Sequence, residues 1–315
     1  MTLETGSERQ VRKSRSSAPR PELWVIDATA LLFRAYYSMP PRLSPAGEPV
    51  GAVLGLGHLL RRLLRRAPER VVLVHDAGHL TFRNRLDPRY KAHRGEPPPD
   101  LAYQLELARA FGPAAGFLSL AVPDYEADDI MATLCRRATA AGLRVRLLGV
   151  DKDLCQLVRD DEPAVVLEDP RTGEVCDAAG VVRRLGVRPE QVVDFMALVG
   201  DSCDNVPGVP GVGPKAALAL LQAFGDLDTL YASLDRVATL PLRGARGLAA
   251  RLEAGRAEAF LARALVRLHD EVPLGEFDLH ADTRWRGPRA DAGEFFAALG
   301  SAGALRGLQA LAPAN

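Results

Sequence analysis

Three short apolar runs in this chain each stop at an aspartate, and that pattern constrains the fold more than any other feature. Leu23–Ile26 leads to Asp27, Val71–Val74 to Asp76, and Val145–Val150 to Asp151. Runs of this length and β-branched content read as buried strands. Between them lie helical patterns, such as Leu54, Leu56, Leu59, Leu60, Leu63 and Leu64 opposite Arg61, Arg62, Arg65 and Arg66. Strand–helix alternation predicts a parallel sheet covered by helices, an α/β architecture. The carboxyl ends of parallel strands line one edge, so the three aspartates are expected to converge there.

Further acids come in tight clusters: Glu126-x-Asp128-Asp129, Asp151-x-Asp153 and Asp201-x-x-Asp204. Each follows an apolar segment able to deliver it to the same edge. Like charges ~4 Å apart repel by roughly 4 kcal/mol at an effective dielectric near 20. Nine carboxylates in one crevice therefore call for a strong cation among them. The donors are all oxygen, while the six histidines are scattered and the four cysteines form no C-x-x-C pair. That set selects magnesium or manganese rather than zinc. The acids exceed what one magnesium ion takes, which points to two ions about 3.5–4 Å apart acting on a phosphodiester. Taken singly, each cluster also reads as ordinary helix-start or turn chemistry. Coincidence of all of them is the weaker account.

Outside residues 1–21 the body holds 35 basic and 38 acidic residues. Gathering nine acids in one pocket leaves a basic surround, as suits an enzyme acting on a polyanion. Residues 1–21 read as a solvated basic tail, 22–180 as the α/β unit and 181–315 as a helical region. No apolar run approaches the ~20 residues of a membrane span. The expectation is a cytoplasmic, nucleoid-associated monomer with reduced thiols.

Two more segments carry chemistry. Phe82-Arg83-x-Arg85-x-x-x-Arg89-Tyr90-Lys91-x-x-Arg94 interleaves aromatics with cations, a pattern for single-stranded nucleic acid, with Tyr90 stacking on bases. Val206–Lys215 is a joint carrying Gly208, Gly211 and Gly213, between helical patterns at 189–199 and 215–224. Amides at such a turn, with Lys215 opening the next helix, suit a DNA backbone phosphate. The three lysines of the body, Lys91, Lys152 and Lys215, all fall in these marked segments, while arginine serves elsewhere.

From Asp27 to about residue 300 the chain resembles the 5′-nuclease domain of bacterial DNA polymerase I and, more widely, the flap endonucleases. The resemblance rests on Asp27-x-x-x-Leu31-Leu32-Phe33-Arg34-Ala35-Tyr36, Phe82-Arg83, Tyr90-Lys91-x-x-Arg94, Glu126-Ala127-Asp128-Asp129, Asp151-Lys152-Asp153 and Gly200-Asp201-x-x-Asp204-Asn205-x-Pro207-Gly208-Val209-x-Gly211-x-Gly213. It implies a PIN-like parallel sheet flanked by helices, an arch over about 80–99, and a helix–three-turn–helix over about 189–224. It implies structure-specific 5′→3′ cleavage of DNA at flaps, nicks or 5′ ends, in replication and repair. Asp27, Asp76, Glu126 and Asp128 would serve one Mg2+ and Asp151, Asp153, Asp201 and Asp204 the other, with Asp129 in support. Lys91 and Arg83 would contact the scissile phosphate, and Tyr90, Arg94, Gly208, Gly211, Gly213 and Lys215 the DNA. A potassium ion at the glycine turn and a separate DNA polymerase as partner complete the expectation.

The chain departs from the family pattern at Ala28, His75, Gly149-Val150 and Ala216, where glycine, phenylalanine, a polar lead-in and threonine are usual. None removes a proposed ligand. Two rivals remain: a branch-binding protein that does not cut, and a PIN-type ribonuclease.

Overall fold

The computed structural model describes residues 20–241 and 244–314. The expected tail at 1–21 lies almost wholly outside the described residues. At the centre is a six-stranded sheet of order β3-β2-β1-β4-β5-β6. Its strands are β1 (Glu22–Asp27), β2 (Arg70–Val74), β3 (Leu118–Leu120), β4 (Arg144–Leu148), β5 (Val165–Glu168) and β6 (Val175–Cys176). The first five run parallel and β6 runs antiparallel to β5.

Side chains alternate across a strand, and here both faces are buried. Leu23 and Val25 of β1 enter one core with the helices Ala127–Ala140, Val192–Val199, Pro214–Phe224 and Arg256–Val266. Trp24 and Ile26 enter the other with Gly51–Leu64, Pro99–Ala114 and Ala292–Ala298. Two-sided burial explains why β1 and β2 read as unbroken apolar runs, whereas in β4 half-buried Arg144 and Arg146 alternate with Val145 and Leu147.

The helical region is not a separate body. Beyond Arg256–Val266 the chain returns to the sheet, where Val71 N–H donates to the Thr283 carbonyl at 2.8 Å. Phe296 then packs against Phe111 with ring centroids 5.5 Å apart. The boundary expected near residue 180 thus divides the sequence, whereas the cores draw on both sides of it.

Strand order reverses at β1, which pairs with β2 on one side and β4 on the other. A reversal opens a crevice beyond the carboxyl ends of the strands. Asp27 is the last residue of β1, Asp76 lies two residues past β2, and Asp151 three past β4. Residues 80–99, where an arch is expected, form the five-residue helix Phe82–Leu86, then turns through Arg94.

Candidate metal centre

Each acid reaches the crevice for a local reason. Asp27 caps the helix Ala28–Ser38, its Oδ1 accepting from Ala30 N–H at 2.8 Å. Asp76 Oδ1 accepts from Ala127 N–H at 2.7 Å, at the start of Ala127–Ala140. Two helix N-termini therefore point positive ends at the cluster, which offsets part of its charge. Thr29 Oγ1 accepts from Asp76 N–H at 2.9 Å, and Arg109 donates to the Asp76 carbonyl at 2.7 Å, fixing that loop. Neither Thr29 nor Arg109 carries a sequence signal that marks it as a positioning residue.

The opposite wall comes from two loops. Asp151 Oδ1 accepts from Asp153 N–H at 3.0 Å, turning Asp153 inward. Asp201 and Val206 exchange backbone hydrogen bonds at 3.0 and 2.8 Å, closing a tight loop that presents Asp201 and Asp204. Asp153, Asp201 and Asp204 each offer an oxygen within 4.8 Å of the others. Asp153 Oδ1 is buried with no hydrogen-bond partner among the described residues.

Protein cations occupy part of this wall. Lys91 Nζ donates to Glu126 at 2.7 Å and lies 3.4 Å from Asp204. Lys152 Nζ donates to Asp201 at 2.6 Å and lies 4.0 Å from Asp153. Arg94 pairs with Asp204. Lys91 holds this place at φ 54°, a left-handed conformation unfavourable for a lysine. Its N–H donates to the Asp204 carbonyl at 2.8 Å, and Asn205 Nδ2 donates to the Arg89 carbonyl at 2.8 Å. The 89–94 segment is thereby stitched to the loop at 201–206.

Asp27, Asp76, Asp128 and Asp151 form no ion pair among the described residues. Burial, then Asp76, pushes the Asp27 carboxyl up to about 7, and burial, then Asp151, does the same to Asp153. Burial, followed by Asp151 and Asp27, raises Asp128 well above the carboxylate range. Burial also raises Asp76. Excess negative charge, an orphaned carboxylate oxygen and all-oxygen donors together fit hard divalent cations.

The structure brings eight of the nine acids together and sends Asp129 elsewhere. Asp129 is fully buried, its two oxygens taking 2.7 Å hydrogen bonds from Arg83 Nη1 and Nη2 and a 2.8 Å bond from His269 N–H. Its Oδ2 also accepts from Glu126 N–H at 3.1 Å. Successive helical residues point about 100° apart, so Asp128 faces the crevice while Asp129 faces inward. With its acceptors used, Asp129 stands behind the centre rather than in it.

Arg83 and Tyr90 also depart from expectation. Arg83 is 1% exposed and spends its guanidinium on Asp129 and the Leu265 carbonyl, which leaves no group for a phosphate. Tyr90 is 3% exposed, and its hydroxyl bonds Glu126 at 3.0 Å and Asp204 at 3.2 Å. It buttresses two acids and offers no open face for a base. Arg94 and Lys215 are exposed.

The glycines of the hairpin serve different ends. A Cβ on Gly208 would meet the Val199 carbonyl group at 2.4 Å, so Gly208 is required for close packing on the preceding helix. Gly211 adopts φ +78°. Gly213 is exposed with open space about it and precedes Pro214, the first residue of the next helix.

Comparison with known proteins covers both the sheet and the helical region. Residues 22–186 match the family described as 5′-3′ exonuclease, N-terminal resolvase-like domain, and 187–291 match 5′-3′ exonuclease, C-terminal SAM fold. The chain belongs to the 5′-3′ exonuclease family. It is 42% identical to DNA polymerase I of Pseudomonas aeruginosa over 274 residues, covering 86% of this chain and 29% of that protein. It is 28% identical to the 5′-3′ exonuclease of Buchnera aphidicola, covering 79% of this chain and 87% of that protein. The chain thus spans under a third of its DNA polymerase I relatives. Among solved structures, the T5 5′-exonuclease with bound zinc aligns at a TM-score of 0.63 and 20% identity, covering 92% of this chain and 98% of that one. The T5 flap endonuclease in complex with DNA and metal ions aligns at 0.61 and 21% identity, covering 92% and 97%. At that identity the likeness concerns the fold: an α/β sheet with a C-terminal helical domain. No helix among the described residues is long and apolar enough to cross a membrane.

Proposed function

We propose that this chain is a metal-dependent 5′→3′ DNA exonuclease and flap endonuclease. The observation that carries the reading is the convergence of eight carboxylates from separate segments at the strand-order reversal, four of them without a cationic partner. Asp27, Asp76, Glu126 and Asp128 would hold one magnesium ion, and Asp151, Asp153, Asp201 and Asp204 a second, with manganese able to replace either. Such ions, when bound, make water a better nucleophile and offset charge building on the phosphate.

The chain's own groups do the rest. Lys91 and Lys152 hold the acids apart from collapse and repulsion, and both sit where an incoming phosphate exchanges one oxygen ligand for another. Tyr90, bridging Glu126 and Asp204, keeps those two carboxylates in register. Exposed Lys215 and the turn at 211–213 offer a duplex backbone one positive charge and the amides of Gly211 and Gly213, with a potassium ion at the turn as a bridging cation. The closeness of DNA polymerase I sequences supports work alongside a DNA polymerase, in the cytoplasm with the nucleoid.

Product mapping on 5′-end-labelled flap, nicked and blunt DNA with magnesium tests this reading. Short 5′ products from the flap and nick are expected, lost on chelation and in Asp76→Asn. Tight binding of branched DNA with no cleavage would favour the non-cutting rival. Preference for matched RNA flaps would favour a ribonuclease.

A further inference from the structure

On the far side of Arg83 from the metal centre lies a second cavity, of about 420 Å³, that the reading above does not use. Crevice and cavity share a wall. Phe82 lines the cavity, while the next residue, Arg83, reaches through to Asp129 and lies 3.5 Å from Glu126.

Aromatic surface dominates one side. Tyr125, the residue just before Glu126, stacks on His269 with centroids 5.4 Å apart and planes 18° apart. Half-buried Phe82 lies 5.8 Å from Tyr125 and 6.2 Å from His269, with the Arg83 guanidinium 4.6 Å over one face of its ring. His269 is exposed and its ring is held only by this stack, since its backbone N–H is what anchors to Asp129. On the facing side Phe260 carries the Arg263 guanidinium 4.6 Å above its ring.

Charge is arranged to match. Arg267 is exposed on the rim, and its side chain makes no ion pair among the described residues, although its carbonyl accepts from Arg83 at 3.2 Å. Arg263 is already paired with Asp228 at 2.7 Å. The one acid of the lining, Asp270, has Arg136 at 3.7 Å. The rim therefore has one uncommitted cation and no uncommitted anion beside the exposed His269 ring, which Tyr125 supports from one face.

The geometry points to a nucleotide-binding subsite here: a base of the single-stranded 5′ arm stacks against His269 and Phe82 while its phosphate meets Arg267. Stacking on aromatic rings with a neighbouring cation is how single strands are held without regard to sequence. The inference builds on the nuclease reading, because the shared wall places the pocket beside a centre that receives a 5′ arm. It adds a second hold on that arm away from the eight carboxylates of the crevice.

The test measures binding of fluorescein-labelled short oligothymidylate to the full chain, with calcium in place of magnesium. Arg267→Glu and His269→Ala alter exposed side chains, and thermal unfolding verifies that each is folded. Each is expected to weaken single-strand affinity, His269→Ala by about tenfold. The loss should be larger for a duplex bearing a long 5′ arm than for the same duplex without one. Oligothymidylate carrying 5-iodouracil should photocrosslink to Phe82, Phe260 or His269. Wild-type affinity in both folded variants, or crosslinks confined to other residues, would overturn the assignment. Flap cleavage by the wild type in magnesium is scored separately, so failure of the nuclease reading is told apart from failure of this subsite.

Discussion

In the crevice, Asp128 lies among Asp151, Asp27 and Asp153 with no cationic partner; one residue on, Asp129 is gripped by both ends of a buried guanidinium. The residue type is the same, and the helix turns it through about 100° into a different environment. Behind the centre, every carboxylate oxygen is satisfied and the pair is sealed from water. Within it, Asp128 is desolvated among other carboxylates with no counter-charge, which costs stability unless a ligand arrives. The contrast separates the acids that hold the scaffold from those kept available for chemistry.

The sharpest way to break the comparison is to remove each member. Asp128→Asn is expected to lower flap cleavage by about 10³-fold, the scale of losing a group that stabilises transition-state charge. The metal-free protein should keep or gain thermal stability, because a repulsion is removed. Steady-state cleavage with thermal melts checks both halves; a destabilised Asp128→Asn would place that residue with the scaffold.

Asp129→Asn should do the reverse, destabilising by about 3–5 kcal/mol by stranding Arg83 without its counter-charge. Urea unfolding measures it. The double variant Arg83→Met with Asp129→Leu should recover part of the loss, since an apolar pair of similar volume removes the buried charge altogether. A single variant as stable as wild type would contradict the assigned role.

pH offers a third, smaller test. Asp27 and Asp153 titrate near 7 in the folded chain against 3.8 for a free carboxyl. Between those values the native state keeps protons that the unfolded state has lost, so chelator-treated protein should lose stability as pH rises from 4 to 7. Magnesium should restore it above 7. Buried His75, lowered to about 4 chiefly by burial, slopes the other way: its contribution is present above 6.5 and lost as pH falls toward 4. His75→Phe therefore steepens the carboxylate trend, and melts at several pH values with chelator or magnesium read it. A flat profile in His75→Phe would mean that the crevice is not strained.

The smallest effect concerns the hairpin. Lys215→Ala should reduce the salt dependence of duplex binding by about one unit of slope and leave single-strand binding unchanged. An unaltered slope in anisotropy titrations would remove Lys215 from the duplex contacts.

The sheet and its acidic edge were legible because a strand buried on both faces leaves an apolar run, and an aspartate at its end stands out. Asp27, Asp76 and Asp151 follow from that alone. The weak strands Val165–Glu168 and Val175–Cys176 were not read, being too short to carry a period. Arg83 and Tyr90 were misplaced because a basic stretch between helices looks solvated; only three-dimensional contact shows that Asp129, Glu126 and Asp204 draw them inside. Nor does any local pattern reveal that residues 283–309 return to the first half, since long-range packing decides it.

The stitching of residues 89–94 to the loop at 201–206 has a mechanical consequence. Lys91 and Arg89 are tied to Asp204 and Asn205 by two hydrogen bonds that leave little slack between the segments. If the first segment meets the single strand and the hairpin beyond the second meets the duplex, as proposed, seating either part of a substrate would be felt by the other.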